Sequence, residues 1–372
     1  KLISLVAIIG LLMPSNPSAH ALSVPNTFKK LATSSTLAKP GIIVLDPSTQ
    51  SEIYSDAADE PRAPASVLKI ISATAAIAAF GPDKVFNTTI NSTEDPDVYI
   101  LQGERDPWLT TSASEAKNLK RARSTKLINE VINNRGDYSG LKIKFYGMFD
   151  ADIKSLRTYY ANKIKFQRIS KPPSAPDQEA TEISRITSPT LREILNFTLL
   201  WSDNVLADRL ARNAAVKLGY SRDDLSLNLA FKETLSLLEV DSTGLKVFDG
   251  SGLSRENRVS ARTIAELLLK IRNEPQYQAV YDGLPTSGKT GTLKKRFQEY
   301  GSAAKGLVKA KTGWINTSVT LAGYVEAGES EYVFAVIANR VTPTENSRDR
   351  ARKIIDKMLA SIAKPLEIAA VG

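Results

Sequence analysis

Three short clusters carry side chains that can do chemistry together. Ser66 and Lys69 stand three apart in PRAPASVLKIISATAAIAAFGPD, so on a helix they share a face one turn apart and the amine reaches the hydroxyl. A neutral lysine can then act as general base to a serine nucleophile. Ser202-Asp203-Asn204 is a second polar cluster, set directly after the apolar run LNFTLLW. Lys-Thr-Gly occurs twice, at Lys289-Thr290-Gly291 and at Lys311-Thr312-Gly313, and puts a cation, a hydroxyl and a closely approachable backbone side by side, which is a way to hold a carboxylate. Each cluster also has a plain reading. Ser-x-x-Lys occurs five times, at Ser66, Ser114, Ser139, Ser302 and Ser361, and serine or Ser-Asp-Asn at a helix start is a common cap.

The elements around the clusters separate them from chance. Prolines at 61 and 64 precede an alanine-rich apolar segment that stops at Gly81-Pro82, which predicts a buried helix over 65–80 with Ser66 at its N-terminus. Backbone N–H groups there can stabilise a developing oxyanion. Gly41 to Asp46 and Glu52 to Tyr54 predict a hairpin. Pro189 to Trp201 and Val205 to Leu218 predict two helices flanking Ser-Asp-Asn. Alternation over Leu307 to Lys311, Val319 to Val325 and Tyr332 to Ala338 predicts three antiparallel strands before a helix from Ser347 to Ala360. Lys311 then lies on a strand, whereas Lys289 lies among Gly, Ser and Thr in a loop. Between 85 and 180 the pattern changes to short strand-like runs and a basic amphipathic stretch from Glu115 to Asn133, ending in the Pro-rich KPPSAPD, which reads as a linker. The expected fold is α/β (α+β): an antiparallel sheet drawn from both chain ends, flanked by helices, with one small inserted domain.

Composition excludes several classes. There is no cysteine, and the single histidine is His20. Lys1, the apolar run from Leu2 to Met13 and Ala19-His20-Ala21 together resemble an export signal cleaved after Ala21. Twelve apolar residues fall short of the roughly 20 needed to span a bilayer. Without that segment the chain has no histidine, which excludes Ser-His-Asp triads and the common zinc sites. The net charge is +9. Export makes nucleic acid an unsuitable partner for the basic run Lys117, Lys120, Arg121, Arg123 and Lys126; the plain reading is a solvated helix face, the sharper one attraction to anionic envelope polymers. No metal or organic cofactor is implied.

Ser-x-x-Lys, Ser-Asp-Asn and Lys-Thr-Gly, in that order, are the motif set of penicillin-binding proteins and class A β-lactamases. With DGSGLSRENRVS (249–260) and LPTSGKTGTLKKRF (284–297), the chain resembles the D-alanyl-D-alanine carboxypeptidase/endopeptidase family of low-molecular-mass class C penicillin-binding proteins. The resemblance spans roughly 41–84 and 181–345. It implies a β-lactamase/transpeptidase-like fold, with residues 22–84 and 181–372 forming the penicillin-binding domain and 85–180 an inserted domain and linker. It implies an exported, cell-wall-facing serine carboxypeptidase that cuts peptidoglycan stem peptides, possesses no bound cofactor and is acylated by β-lactams.

The resemblance also assigns roles. Ser66 is the implied nucleophile, Lys69 its base, Ser202 and Lys311 a proton relay, and Asn204 the group that orients the substrate amide; Thr312, Gly313 and Trp314 are the implied substrate-binding residues. The family's Leu-Pro…Gly-Thr-Leu element fits 284–293, which makes the first Lys-Thr-Gly incidental. Trp314 departs from the family, which has a hydroxyl residue there, and Thr292 would fit that place after the first tripeptide. The roughly 130 residues between Lys69 and Ser202 hold one small domain rather than two, which favours carboxypeptidase over endopeptidase action. A class A β-lactamase would need Glu-x-x-x-Asn between Asn204 and Lys311, and none is present. An envelope scaffold and an esterase of the same fold are the remaining alternatives.

Overall fold

The computed structural model describes residues 22–170 and 181–364. The expected signal and the KPPSAPD linker lie outside the described residues. Helix α1 (Asn26–Ala32) leads into the hairpin β1 (Gly41–Asp46) and β2 (Ser51–Asp56). A single 3-10 turn over Ala65–Leu68 then opens α2 (Lys69–Phe80). The expected helix is therefore present, but its first turn is tighter than α, and Ser66 stands in that turn. Every side chain of α2 from Lys69 to Ile77 is buried. This is the alanine-rich, all-round apolar pattern of a helix enclosed by others, here α6 to α9, introduced below.

The chain next builds a second sheet from β3 (Asn87–Asn91), β4 (Val98–Gly103), β5 (Lys142–Tyr146), β6 (Lys165–Arg168) and β7 (Glu182–Thr187), in the order β6-β5-β4-β3-β7. Helices α3 (Ala113–Leu119), α4 (Thr125–Arg135) and α5 (Asp150–Tyr159) connect its strands, and β4-β5-β6 run parallel. Because β7 pairs with β3, the returning strand carries this unit past residue 180, to Thr187. Leu127, Ile128, Val131, Ile143, Phe145 and Leu156 fill its own core. The basic stretch is not one helix face. Lys120 adopts a left-handed conformation at the end of α3, and Arg121 is only 8% exposed. Its guanidinium donates to the carbonyls of Pro107, Trp108 and Leu109 and pairs with Glu115, so a buried fork of donors fixes a loop that a solvated lysine could not.

Five helices follow: α6 (Leu191–Trp201), α7 (Asn204–Lys217), α8 (Asp224–Leu237), α9 (Ala261–Asn273) and the short α10 (Gln278–Asp282). Strands β8 (Val308–Ile315), β9 (Ser318–Ala327) and β10 (Ser330–Ala338) and helix α11 (Glu345–Ile362) complete the described chain. The main sheet has the order β2-β1-β10-β9-β8 and is antiparallel throughout, so strands from both ends of the chain meet at the β1–β10 pair. Ile43, Leu45, Val333, Ala335 and Ile337 face the helices around α2, while Ile42, Val44, Phe334 and Val336 pack with α1 and α11. The strand order leaves β8 at one edge of the sheet, beside the turn of Ser66.

Candidate active site

Ser66 is held from two sides. Its turn opens at Ala65, which takes φ 49°, a left-handed conformation that L-residues adopt at a cost. The Thr320 hydroxyl of β9 donates to the Pro64 carbonyl at 2.9 Å and ties the turn to the sheet. Gly313 on β8 lies so close that a Cβ there would collide with Thr320 Oγ1 and stand 2.9 Å from Ser66 N and 3.0 Å from the Pro64 carbonyl. The glycine of the second tripeptide is thus needed for the strand edge to approach the backbone of Ser66. Ser66 does not cap α2; its hydroxyl meets Lys69 Nζ at 2.8 Å.

Lys69 is 1% exposed and its amine has three neighbours: Ser66 Oγ, Asn204 Oδ1 at 2.7 Å and the Ser251 carbonyl at 2.6 Å. The two carbonyl oxygens can only accept. A neutral amine would give both of its N–H bonds to them and turn its lone pair to the one neighbour that can donate, the Ser66 hydroxyl. Burial pushes the Lys69 amine down to about 8, against the opposing pull of Asp249 and Asp203. Lys311 is wholly buried and also lies well below the ordinary lysine range, through burial first and then the charge of Lys69. Sequence reasoning expected the Lys311 cation to help depress Lys69. Here burial acts on both amines, and the charge repulsion is felt at Lys311, from Lys69.

In Ser202-Asp203-Asn204 the capping is done by the aspartate. Asp203 Oδ1 accepts from Leu206 N at 2.9 Å at the start of α7, which releases its neighbours for the cleft. Ser202 takes φ 61° at the end of α6, and its hydroxyl accepts from Lys311 Nζ at 2.9 Å. Asn204 gives its Oδ1 to Lys69, so its amide N–H2 remains for a ligand. Ser66, Ser202, Asn204, Thr312, Gly313 and Trp314 all line one cleft of 1190 Å³, with Lys69 and Lys311 behind its wall.

The two Lys-Thr-Gly tripeptides have different neighbours. Lys311 lies on β8 in register with Ala322. Lys289 is exposed in a turn in which the Thr290 hydroxyl accepts from Thr286 N at 2.8 Å. The segment after that turn nonetheless reaches the cleft, where Thr292 Oγ1 bonds Thr312 Oγ1 at 2.7 Å. Sequence reasoning weighed Thr292 as the residue that follows the rival tripeptide and gave it no place beside Thr312. Its place beside Thr312 comes from a contact across 20 residues that no local pattern encodes. Trp314 is 58% exposed, with Arg348 and Arg352 of α11 over its ring at 5.5 and 5.6 Å.

A further group was quoted as sequence but given no role. In DGSGLSRENRVS the Asp249 carboxylate accepts from the backbone N–H groups of Ser251, Gly252, Leu253 and Ser254, the Ser251 hydroxyl and the Asn257 amide. This pins the loop so that its Ser251 carbonyl meets Lys69 and its Gly250 carbonyl accepts from Ser72 at 2.5 Å. Gly252, at φ 82°, abuts the Ala65 carbonyl where any side chain would clash. Among the described residues, no group of three or more His, Cys, Asp or Glu could hold a metal ion, and no helix is long and apolar enough to cross a membrane.

Known proteins share this arrangement of chain and fold. Carboxypeptidase DacB of Mycolicibacterium smegmatis is 28% identical over 383 residues, covering 87% of this chain and 83% of the relative. A D-alanyl-D-alanine carboxypeptidase of an Actinomadura species is 37% identical over 168 residues, covering 44% of this chain and 31% of the longer relative. Penicillin binding protein 4 of Haemophilus influenzae superposes with a TM-score of 0.71 at 16% identity, over 92% of this chain and 100% of that one, and has also been solved with a β-lactam bound. At that identity the likeness speaks for the fold. The sequence profile of the D-Ala-D-Ala carboxypeptidase 3 (S13) family matches residues 27–135 and 153–362, and the chain therefore belongs to that family.

Proposed function

We propose that Ser66 is the nucleophile of a D-alanyl-D-alanine carboxypeptidase acting on peptidoglycan stem peptides. Its Oγ attacks the carbonyl between the two D-alanines while neutral Lys69 takes its proton. The C–N bond then breaks, and the proton held by Lys69 passes to the departing amine through the Ser202 hydroxyl, which is bonded to Lys311. An acyl-serine ester remains, with Lys69 neutral again and Lys311 still charged. Water, deprotonated by Lys69, hydrolyses that ester and restores the serine. Asn204 Nδ2 orients the substrate amide, and the Ser66 and Trp314 backbone N–H groups hold the oxyanion. Thr312, with Thr292 bonded to it, and the Lys311 charge receive the carboxylate. The same attack on a β-lactam ring leaves no departing amine free to diffuse, which makes β-lactams covalent inhibitors.

The observation that carries this reading is the set of acceptors around Lys69, two carbonyls and one hydroxyl, with Lys311 on Ser202 across the cleft. Residues 85–180, with β7 returning from them, form the inserted domain on this reading, and a single insert favours carboxypeptidase over endopeptidase action. Residues 1–21 act as a cleaved export signal and place the enzyme at the cell wall. Labelling by a fluorescent penicillin tests the site. Label lost in Ser66→Ala and Lys311→Ala but kept in Lys289→Ala supports the reading and settles which tripeptide works. A folded parent protein that takes no label would return the chain to the scaffold alternative.

A further inference from the structure

The cleft does not end at the strand that carries Lys311. It continues beyond Trp314 to the first turns of α11, where Arg348 and Arg352 line it. Five cations, Arg255, Lys295, Arg296, Arg348 and Arg352, face this space against two carboxylates, Glu345 and Asp349. Those carboxylates make no ion pair with the arginines of α11 among the described residues. Asp349 bonds Lys353 at 3.0 Å, and Arg296 is taken by the buried Asp356. Neither Arg348 nor Arg352 has an ion-pair partner among the described residues.

Both arginines are half-buried and rest on the exposed indole of Trp314. Arg348 donates from Nη1 to the Asn316 carbonyl at 3.1 Å, while its Nε is buried and meets no partner among the described residues. Burial and the nearby Arg296 charge pull the Arg352 guanidinium below the ordinary arginine range, with Arg348 adding to the effect. Asp349 and Glu345 oppose that pull, yet neither forms an ion pair with Arg348 or Arg352 among the described residues. A planar guanidinium offers a carboxylate two parallel N–H bonds, and stacking on an aromatic face holds that plane steady.

We propose that Trp314, Arg348 and Arg352 form a carboxylate subsite of the peptide cleft, the indole holding two guanidinium groups ready for an anionic end of the substrate. The subsite rests on the acyl-transfer reading of Ser66. It gives Trp314 a use of its own: the indole that stands where a hydroxyl is expected recruits two charged donors from α11. Two carboxylates could occupy it: that of the terminal D-alanine, which the guanidinium groups would then share with Thr312 and Lys311, or one on the stem peptide of a neighbouring strand.

Steady-state kinetics separate these sources. The substrates are an acylated peptide ending in D-Ala-D-Ala, the same peptide ending in a carboxamide, and a cross-linked stem-peptide dimer. The proteins are the parent, the double variant Arg348→Gln/Arg352→Gln and the double variant Arg348→Lys/Arg352→Lys. A terminal-carboxylate subsite predicts that the Gln pair loses about tenfold in kcat/KM on the free acid, mostly through KM, that the Lys pair recovers part of this, and that the carboxamide shows no such loss. A loss confined to the dimer assigns the subsite to the neighbouring strand. Equal kcat/KM for parent and Gln pair on all three substrates, at unchanged Tm, overturns the proposal. Should the Gln pair fail to fold, Arg352→Gln alone is measured, with a loss of at least threefold in kcat/KM on one of the two acidic substrates expected and no loss on either counting against it. Failure of the parent to acylate at Ser66 is read separately, by fluorescent penicillin, and would remove the acyl-transfer reading itself.

Discussion

A lysine that serves as a base must be neutral when the substrate arrives. With the Lys69 amine at about 8, the base is mostly protonated at pH 6 and mostly free at pH 9. Acylation of Ser66 by a fluorescent penicillin should therefore rise across that range with a midpoint near 8, and a flat profile would count against Lys69 as the base. The same group acts on stability with a definite sign. A lysine lowered from 10.5 in the fold binds fewer protons there than in the unfolded chain between pH 8 and 10.5, so stability grows with pH through that window and carries the full cost below it. Lys69→Met should abolish acylation and yet raise stability at pH 7 by about 1–3 kcal/mol, read by denaturant unfolding. The pairing of Ser66 with Lys69 was legible because a spacing of three is a local property. Thr292 was not, because its partner is fixed by how β8 meets a distant turn.

Elements set the distances that residues exploit. Strand β8 reaches the Ser66 turn only because position 313 has no side chain. Gly313→Ala should cost at least tenfold in penicillin acylation and about 1–3 kcal/mol in stability through forced displacement, measured on the same preparation. The loop of Asp249 makes a parallel case. Burial raises its carboxyl, but bonds from Ser251, Ser254 and Asn257 outweigh that and leave it below the ordinary range. Its stabilising contribution is present above the unfolded value near 4 and is lost as pH falls through the lower folded one. Asp249→Ala should destabilise by about 2–4 kcal/mol, since several backbone N–H groups lose their acceptor, and should slow acylation by withdrawing the Ser251 carbonyl from Lys69. Helix and strand positions near the site were legible from periodicity, as in α6, α7 and β8 to β10. The loop was visible only as quoted sequence, because an acceptor bonded to six donors has no period to read.

At the scale of the molecule, the second sheet is anchored to the main domain behind the cleft. Arg209 of α7 pairs with Asp152 of α5 at 2.5 Å, and Asn213 of α7 donates to the Arg105 carbonyl at 2.8 Å. Beside them Asp106 is buried with one oxygen unpartnered among the described residues, and burial pushes it up to about 7. A carboxyl raised from 3.8 favours the fold when protonated, so stability should fall as pH rises between about 4 and 7. Asp106→Asn should flatten that slope and be at least as stable as the parent at pH 8, as Tm against pH would report. A sheet contributed by both chain ends was legible from strands placed at either end of the sequence. The parallel β4-β5-β6 arrangement was not, since strands of four to six residues say nothing of their neighbours' direction.

The β1–β10 pairing also orders events in time. Ser66 and Lys69 are made before Ser202, and Lys311 after all three. Until β10 arrives, β1 has only β2 beside it and β8 has no sheet to join. Contacts of such sequence separation form slowly and late. A chain cut short before β8 carries Ser66 and Lys69 but neither Lys311 nor the strand edge on which the proposed mechanism depends. The cleft is thus incomplete until β8 has been made and the sheet that carries it has closed on β1.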